Sequence, residues 1–507
     1  MKKRFAICST IVLLLLLSAC GAPQTLDFSY APEGEELSSL MVETSQTHRA
    51  ELEHVPSAAD FADAISDDPA SAGLLSESEV ESLLRGHAAM ETVSKEQAQS
   101  DVSLLFRTLQ SAYGAYEYFG QEKFDAAEDA VTQWLSSQDD EIKVSALGEK
   151  LQESLAFMLA HDAHAVIYEP AEEEIEAQVR YEYFFADGFY FSKDVNGSYY
   201  MVNDGERWTL SSFSDEHVSV QPTLLQDGRI VYQPTLFALR KDAVQSSVTL
   251  KNSSGKAKIY RLDWTESQPL DVDLGTLDYR LIQEDGLTYV SLRSFVSGTY
   301  DNMLARYARG GAKARGSKAV IYDLRGNVGG SDSWPRKWIQ SFLGTQNSIE
   351  TSMLYAQKNS ALFAAENSES LLPEDEGTCF AREVHGTWYE NDIPIIVLVD
   401  DHCGSSGEGA VQLLKTLDNV LIVGSNTAGY QLCGNISTFT LPYTGIGVRF
   451  GSTLFLYGDG ENVDHSGYAP DVWCDPQDAL ASVLALLKEQ GVVSADACET
   501  VREKIVK

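Results

Sequence analysis

The chain has 507 residues, of which 44% are hydrophobic and 22% are charged, a composition typical of soluble globular proteins. This composition excludes a disordered, collagen-like or coiled-coil chain and leaves room for about two to four domains. The 38 Lys and Arg residues face 75 Asp and Glu residues, which gives a formal net charge of −37. Nucleic-acid-binding proteins need a positively charged surface, so a DNA or RNA partner is excluded.

The first twenty residues have the features of a bacterial lipoprotein signal. Positions 2–4 are positively charged, and residues 11–17 form an apolar run that is too short to span a bilayer. The run ends in Leu-Ser-Ala-Cys-Gly at residues 17–21, which resembles a lipobox. We predict that residues 1–19 are a signal peptide, that Cys20 carries lipid, and that the protein is extracytoplasmic and anchored to the cell membrane. The alternative is an ordinary secretory signal, which would leave a soluble secreted protein.

The remaining chain changes pattern several times along its length. Residues 20–95 are rich in Ser, Ala, Asp and Glu and are predicted to be a tether with a short helix near residues 77–84. Apolar residues then recur at helical spacing, β-rich runs alternate with turns, and finally strands alternate with helices. The predicted segments are a helical region (96–165), a β-rich module (166–285), an α/β domain (286–490) and a C-terminal tail (491–507).

Individual elements are predicted from the same patterns. The predicted helices cover residues 97–118, 121–137, 143–160, 334–343 and 407–417. The predicted strands of the α/β domain cover residues 287–292, 319–324, 395–399 and 420–423. Asn196-Gly197 and Asp204-Gly205 are predicted to be hairpin turns of the β-rich module.

Two corners that contain glycine follow predicted strands, where α/β folds place their functional sites. The first corner, residues 321–330, ends in Asn-Val-Gly-Gly. Paired glycines leave backbone N–H groups uncovered, which an oxyanion hole requires. A tight turn without a function would have the same residues, so both interpretations stay open for this segment alone.

The second corner, residues 395–408, is an apolar strand that leads through Gly404 into a helix. A serine at the start of a helix, such as Ser405, can be a nucleophile because the helix end and the next amide stabilise a developing anion. Ser405 can equally be an N-cap, with Glu408 completing a capping box. This segment alone favours the cap.

Taken together and in this order, the blocks resemble the S41 peptidases, the family of tail-specific and C-terminal-processing proteases. Two further blocks belong to the resemblance: Val-Gly-x-x-Thr-x-Gly at residues 423–429 and Gly-Tyr-Ala-Pro-Asp at residues 467–471. Upstream, Asp-Ala-His-Ala at residues 162–165 is similar to a block of the tricorn-like branch. The resemblance covers residues 96–475 and implies a ClpP/crotonase-like layered core. It also implies a PDZ-like β-rich insert that grips a substrate tail by strand addition.

The resemblance implies a role for each matching residue. Ser405 corresponds to the nucleophile, and the amides of Ser406 and of Gly329 or Gly330 correspond to the oxyanion hole. Where the processing proteases have a catalytic Lys, this chain has Tyr430, so a Ser–Lys dyad is absent. In the tricorn-like branch the base is a histidine, which corresponds to His164. An acidic residue that assists it corresponds to Asp464.

Other assignments of the base stay open at this stage. The tricorn-like block has Gly and Thr where this chain has Ala163 and Ala165, and a structural role for His164 would explain it equally. His465 and His402 also lie close to the motifs in sequence. Tyr430 is a poorer base because an unperturbed tyrosine has a pKa near ~10.

The sequence thus predicts an extracytoplasmic serine endopeptidase that cleaves polypeptides through a Ser–His acyl-enzyme mechanism. The alternative is a catalytically silent lipoprotein that binds peptides. No cofactor is predicted, and the chain has no CxxC or HExxH spacing for a metal site. The five cysteines after Cys20 permit at most two disulfides, with the pairing undetermined.

Overall fold

The computed structural model describes residues 23–168, 181–239, 246–268, 270–272, 274, 278–298, 300–368, 370–458 and 460–506. Its helices are α1 (Leu37–Glu53), α2 (Glu77–Arg85), α3 (Lys95–Ala112), α4 (Tyr116–Phe119), α5 (Gln121–Ser137), α6 (Val144–Ser154), α7 (Ala156–Leu159), α8 (Asp301–Ala314), α9 (Ser333–Leu343), α10 (Ala361–Glu366), α11 (Ser406–Leu414), α12 (Ala479–Glu489) and α13 (Ala495–Val506). Its strands are β1 (Thr92–Ser94), β2 (Glu141–Lys143), β3 (Val166–Tyr168), β4 (Tyr181–Ala186), β5 (Ser192–Lys193), β6 (Tyr199–Asn203), β7 (Glu206–Phe213), β8 (Val218–Leu224), β9 (Ile230–Leu239), β10 (Ser246–Asn252), β11 (Ala257–Leu262), β12 (Trp264–Glu266), β13 (Tyr279–Glu284), β14 (Leu287–Leu292), β15 (Ala319–Asp323), β16 (Met353–Lys358), β17 (Cys379–Val384), β18 (Ile395–Val399), β19 (Val420–Gly424), β20 (Cys433–Thr440), β21 (Gly447–Tyr457) and β22 (Val472–Trp473).

A ten-stranded sheet in the order β12-β4-β9-β8-β22-β19-β18-β15-β14-β13 runs through the structure. Its strands β14, β15, β18, β19 and β22 are parallel, as expected for strands joined by helical crossovers. The strands predicted at residues 287–292 and 395–399 are confirmed, and those predicted at residues 319–324 and 420–423 differ by one residue at one end. The predicted mixed α/β fold is therefore confirmed.

The central strands of this sheet are buried on both faces. In β18, Ile395 and Val397 pack in the cluster with α8, α9 and α11, whereas Ile396 and Leu398 pack in the cluster with α1, α12 and α13. Because successive side chains point to opposite faces, a strand between two helical layers must be apolar throughout. This explains why the strand carries an unbroken apolar run.

Helices α3 to α7 lie where three helices were predicted, and their core is shared with a second sheet. The pattern residues Leu105, Leu109 and Tyr113 are fully buried. They pack in one cluster with side chains of the sheet in the order β17-β16-β21-β20. The first helix ends earlier than predicted because the chain at Gly114 passes against β21, where an added Cβ would lie 2.7 Å from the Ser452 carbonyl carbon.

Both ends of the described chain pack on the body, which corrects two predictions. The segment predicted as a tether contributes α1, whose Leu37, Leu40 and Met41 are buried, and the segment predicted as a tail forms α13, where Val501 is buried. The average composition of the first segment is polar, but its apolar residues at i, i+3 and i+4 form one helical face. The average composition therefore did not reveal the apolar face of α1.

The β-rich module contributes to two sheets. The predicted turn Asn196-Gly197 joins β5 to β6, and Asp204-Gly205 joins β6 to β7. Asp204 and Gly205 have φ values of 50° and 77°, as a type I′ turn requires. Strands β11-β10-β7-β6-β5 form a sheet of their own, whereas β8 joins the ten-stranded sheet beside β22.

None of the helices in the described ranges is long and apolar enough to cross a bilayer. The predicted signal peptide and Cys20 lie outside the described residues. Cysteines 379, 403, 433, 474 and 498 are all free thiols, so neither of the two permitted disulfides is present.

Candidate active site

Ser405 occupies a strained corner between β18 and α11. Its φ of 53° and ψ of −122° lie outside the extended region that N-cap residues normally adopt. A non-glycine residue holds such a conformation only where the surrounding contacts impose it, and such residues concentrate at functional sites. The conformation therefore favours the functional interpretation of Ser405 over the simple cap.

Glu408 fixes this corner through four hydrogen bonds. Its buried carboxylate accepts from the Ser405 amide at 3.0 Å, from the Thr427 hydroxyl at 2.6 Å, and from the amides of Gly429 and Tyr430 at 2.8 Å each. Burial raises the pKa of Glu408, although these hydrogen bonds oppose the increase. The Ser-x-x-Glu spacing suggested a capping box, but sequence reasoning missed that Glu408 also binds the 427–430 loop.

The first glycine corner faces Ser405 directly. An added Cβ on Gly329 would lie 2.7 Å from the Ser405 Cβ, so a side chain at this position is excluded. The Gly329 amide donates to Asn327 Oδ1 at 2.9 Å, and the Ser406 hydroxyl donates to the Gly330 carbonyl at 2.9 Å. Within the described ranges, the amides of Gly330 and Ser406 donate no hydrogen bond, so both are available to a ligand.

A buried ion cluster supports the first corner. The Asp323 carboxylate accepts from Arg325 Nη2 at 2.7 Å, from Arg293 Nη1 at 3.2 Å and from the Tyr289 hydroxyl at 2.8 Å. Burial opposes ionisation of Asp323, but the two arginines outweigh it and hold its pKa below the usual value. On the second corner, Asp400 Oδ1 accepts from the Gly326 amide at 2.8 Å and so ties the two corners together.

His164 lies in a loop between α7 and β3 that several hydrogen bonds hold in place. Its amide donates to Asp162 Oδ1 at 2.9 Å, and its carbonyl accepts from Arg449 Nε at 3.0 Å. The Tyr113 hydroxyl donates to Asp162 Oδ2 at 2.8 Å, which links the loop to the helical core. The short side chain of Asp162 thus bonds its own backbone two residues ahead and fixes the loop.

The ring of His164 is buried and uncharged. Burial, with a contribution from Arg449, lowers its pKa to about 3. Its Nδ1 has no hydrogen-bond partner in the described part of the chain, and no hydrogen bond there joins it to Ser405. The ring instead packs edge-on against Tyr430, with 5.2 Å between the centroids.

Tyr430 therefore contacts both halves of the site. Besides packing on His164, its ring lies beside the Ser405 corner, where an added Cβ on Gly404 would be 3.1 Å from Tyr430 Cδ2. Tyr430 thus links the histidine loop to the serine corner by packing.

Asp464 binds backbone amides on two loops. It accepts from the Ala163 amide at 2.9 Å and from the amides of Gln431 and Leu432 at 2.6 Å and 2.8 Å. Burial, reinforced by the nearby Asp162 carboxylate, raises its pKa well above the usual value. Asp464 is therefore linked to the His164 loop through the Ala163 amide, and no hydrogen bond joins it to the imidazole within the described residues.

The two other histidines near the motifs lie elsewhere. The His465 amide donates to the Gly429 carbonyl at 3.0 Å, and the ring is near the backbone of Leu159 and the side chain of His161. Nδ1 of His402 is 4.0 Å from the Asp400 and Asp401 carboxylates. Like His164, neither histidine lines the cleft that contains Ser405.

This cleft has a volume of about 640 Å³ and contains Ser405, Ser406, Gly330 and Tyr430. Most of its other lining residues are small or polar, and the chain portions described here contribute no positive side chain to it. An extended polypeptide fits such an open, polar cleft better than a compact apolar ligand does.

The chain was compared with known families and structures. The family described as "Peptidase family S41" matches residues 286–473, which is less than half of the chain. No curated protein matches the chain significantly.

Three solved structures illustrate which known folds the chain resembles. Mature CPAF is 13% identical, with 78% of this chain and 98% of that chain covered and a TM-score of 0.41. The photosystem II D1 C-terminal processing protease is 15% identical, with coverage of 79% and 98% and a TM-score of 0.39. A lipoprotein from Streptococcus agalactiae is 15% identical, with coverage of 80% and 98% and a TM-score of 0.34.

These TM-scores are too low to carry an assignment of mechanism. The family match does not depend on them, and it contains both glycine corners as well as Asp464. Residues 286–473 therefore match a family of serine-type peptidases, S41.

Proposed function

We propose that the protein is an extracytoplasmic, membrane-anchored serine endopeptidase in which Ser405 is the nucleophile. The observation that carries the proposal is the strained Ser405 at the start of α11, in a polar cleft beside the free amides of Gly330 and Ser406. A serine hydroxyl that faces preorganised N–H donors has what acyl transfer requires.

The proposed reaction begins with attack of Ser405 Oγ on the peptide carbonyl carbon. The carbonyl oxygen becomes an oxyanion that accepts from the amides of Gly330 and Ser406. We choose Gly330 over Gly329 because the Gly329 amide already donates to Asn327. Collapse of the intermediate breaks the C–N bond, the amine leaves with the proton from Ser405, and water later hydrolyses the acyl ester.

We propose that His164 carries that proton. A pKa of about 3 keeps the imidazole neutral and able to accept a proton, but makes it a weak base in this buried arrangement. Because Tyr430 packs on both His164 and the serine corner, substrate binding would have to displace its ring. Displacement would hydrate the imidazole and raise its pKa, while Asp464 and Asp162 would keep the loop in position.

The membrane anchor is proposed to be lipid on Cys20. The Gln24 amide already donates to the Ile259 carbonyl at 3.0 Å, so only about four residues separate the anchor from the body. Four extended residues span at most ~14 Å, which would hold the body against the membrane surface. A Cys20→Ala variant should appear in the soluble fraction, whereas wild type should remain with membranes. The PDZ-like and ClpP/crotonase-like descriptions stay predictions.

The test of the proposed chemistry is labelling with a fluorophosphonate. Wild type should be labelled, and Ser405→Ala and His164→Ala should lose labelling. Ser333→Ala is a matched control, because it removes another hydroxyl that lines the cleft and should leave labelling intact. Labelling of Ser405→Ala at the wild-type rate would contradict the assignment.

The second candidate function is a catalytically silent lipoprotein that binds peptides. The packing of Tyr430 against His164, without a bond from His164 to Ser405, favours it. It predicts peptide binding in the cleft without labelling of the wild type, so the same experiment separates the two candidates.

A further inference from the structure

Strand β13 forms one end of the ten-stranded sheet. It pairs with β14 on one side, and no described strand pairs with its other side. An open edge presents unpaired N–H and C=O groups that can bind another extended chain. β13 belongs to the sheet of the peptidase domain and not to the separate five-stranded sheet of the β-rich module.

A groove of about 710 Å³ runs along this edge. The four consecutive residues 279–282 line it, with Arg306, Arg309 and Lys313 from α8 on one side and Lys504 from α13 on the other. Consecutive strand residues point to opposite faces, so a groove that touches all four must lie alongside the strand edge. The groove therefore exposes the edge backbone between two helices.

The positive side chains on α8 form one stripe. Arg306, Arg309 and Lys313 are spaced i, i+3 and i+7, so they share a face of the helix, and all three are exposed. The helix lies close to the strand at Gly310, where an added Cβ would be 3.1 Å from the Tyr279 hydroxyl oxygen. This close approach brings the stripe beside the open edge.

Within the described residues, no acidic side chain forms an ion pair with these three cations. On the other side of the groove, Lys504 pairs with Glu284 at 2.7 Å and Arg280 pairs with Asp278 at 3.0 Å. No carboxylate of the described residues lies within 4.0 Å of the three charges on α8. The chain has almost twice as many acidic as basic residues, yet its described part offers these three neighbouring cations no ion-pair partner.

We infer that the β13 edge binds an extended acidic segment of another polypeptide by strand addition. The segment would pair its backbone with β13 over about four residues, roughly 13 Å at ~3.3 Å per residue. Carboxylates at alternate positions would point to the α8 side. The ends of the stripe, Arg306 and Lys313, are seven positions apart, which is about 10 Å along the helix at ~1.5 Å per residue. This distance is enough to span two to three such carboxylates. This inference goes beyond the proposed function, since it requires no catalysis.

The test measures binding of a fluorescein-labelled ten-residue peptide that alternates Glu with Val or Thr. Fluorescence anisotropy on the Ser405→Ala protein excludes loss of the probe by cleavage. The peptide should bind, and a peptide with Lys in place of Glu should not. The variant Arg306→Glu/Arg309→Glu/Lys313→Glu should bind about tenfold or more weakly, since three favourable charge pairs become repulsive.

Matched controls separate the edge from general charge. The variant Lys251→Glu/Lys256→Glu/Arg261→Glu reverses three exposed charges on β10, on β11 and in the turn between them, and it should leave binding unchanged. A peptide methylated on alternate backbone nitrogens should bind at least about tenfold more weakly, because strand pairing needs those N–H groups.

Three results would overturn the inference. Absence of binding would indicate that the cations prevent the edge from pairing with another chain. Equal binding of the methylated peptide would exclude strand addition. Wild-type dimers that the α8 variant converts to monomers, without peptide binding, would identify a second copy as the occupant. Circular dichroism of the α8 variant checks that it is folded, and the single substitution Arg309→Glu provides a milder version.

Discussion

The serine corner (residues 400–408) and the histidine loop (residues 161–165) are held in place by different means. The corner has a strained backbone at Ser405, which four hydrogen bonds to Glu408 hold in place. The loop is held by two buried carboxyl groups, Asp162 and Asp464, and its imidazole is covered by Tyr430.

The difference indicates which half of the site must change before a reaction. The serine corner already has the proposed nucleophile beside free amide donors, so it would need little reorganisation in the proposed mechanism. The imidazole of His164, in contrast, is neutral and buried, and the ring of Tyr430 packs against it. Activity in the proposed mechanism therefore depends on how readily Tyr430 moves, and substitutions in the two regions should have different consequences.

The largest effect is expected from Glu408→Ala in the serine corner. Four donors lose their acceptor in a buried site, so the free energy of unfolding should fall by about 3–5 kcal/mol. Urea denaturation measures this change. Glu408→Gln is the matched control, since it keeps the size and one acceptor oxygen and should cost less. A loss below about 1 kcal/mol for the alanine variant would contradict the assigned role.

Asp464→Ala should destabilise the histidine loop by about 2–4 kcal/mol, because three buried amides lose their acceptor. The pKa of Asp464 is raised in the folded protein, so the folded state holds this proton more tightly than the unfolded state. Its contribution to stability is therefore fully present at acid pH and declines as pH rises above the unfolded value of ~3.9. Urea denaturation should show a larger cost at pH 4 than at pH 7.

The control for this prediction is Asp464→Asn, which has the same shape but does not titrate. It should lose part of the stability, because one acceptor becomes a donor that faces an amide. An equal cost of Asp464→Ala at both pH values would show that the carboxyl group does not titrate in this range.

Tyr430→Ala should expose His164 and raise its pKa from about 3 toward the usual value of ~6.5. Burial is the main cause of the depressed pKa, so removal of the covering ring reverses it. Titration of the histidine ring protons by NMR, with His164→Gln to assign the signal, measures the shift. Tyr430→Phe keeps the ring and should leave the pKa low. An unchanged pKa in Tyr430→Ala would show that other groups cover the imidazole.

The smallest effect concerns two buried thiols, Cys403 in the serine corner and Cys433 on β20, which lies against Asp162 of the histidine loop. Burial raises the pKa of both Cys403 and Cys433, so neither should react with iodoacetamide in the native protein over hours. Mass spectrometry of the digested protein measures the modification, and unfolded protein is the control for reactivity. Earlier reaction of Cys433 would show that the histidine loop opens more readily than the serine corner. Earlier reaction of Cys403 would reverse the comparison.

Local sequence patterns predicted much of the fold. The apolar run 395–399 and the paired glycines predicted a strand and a corner, because burial on both faces and close backbone approach each restrict the residue types directly. The helical spacing around Leu105 predicted α3 for the same reason. The polar average of residues 20–95, in contrast, concealed α1, because composition does not record the spacing that makes a helix amphipathic.

The sequence by itself determined the parts that depend on neighbours along the chain: the strands and helices, the Ser405 corner, and the absence of a lysine at position 430. Only the tertiary structure decided that Glu408 also binds the 427–430 loop, that Asp464 accepts from the Ala163 amide, and that Tyr430 packs on His164. These contacts join residues far apart in the chain, and they form only where the sheets and the helical segment meet. The distances, burial and charge of these contacts depend on how the sheets pack against the helical segment, and no local pattern in the sequence encodes that packing.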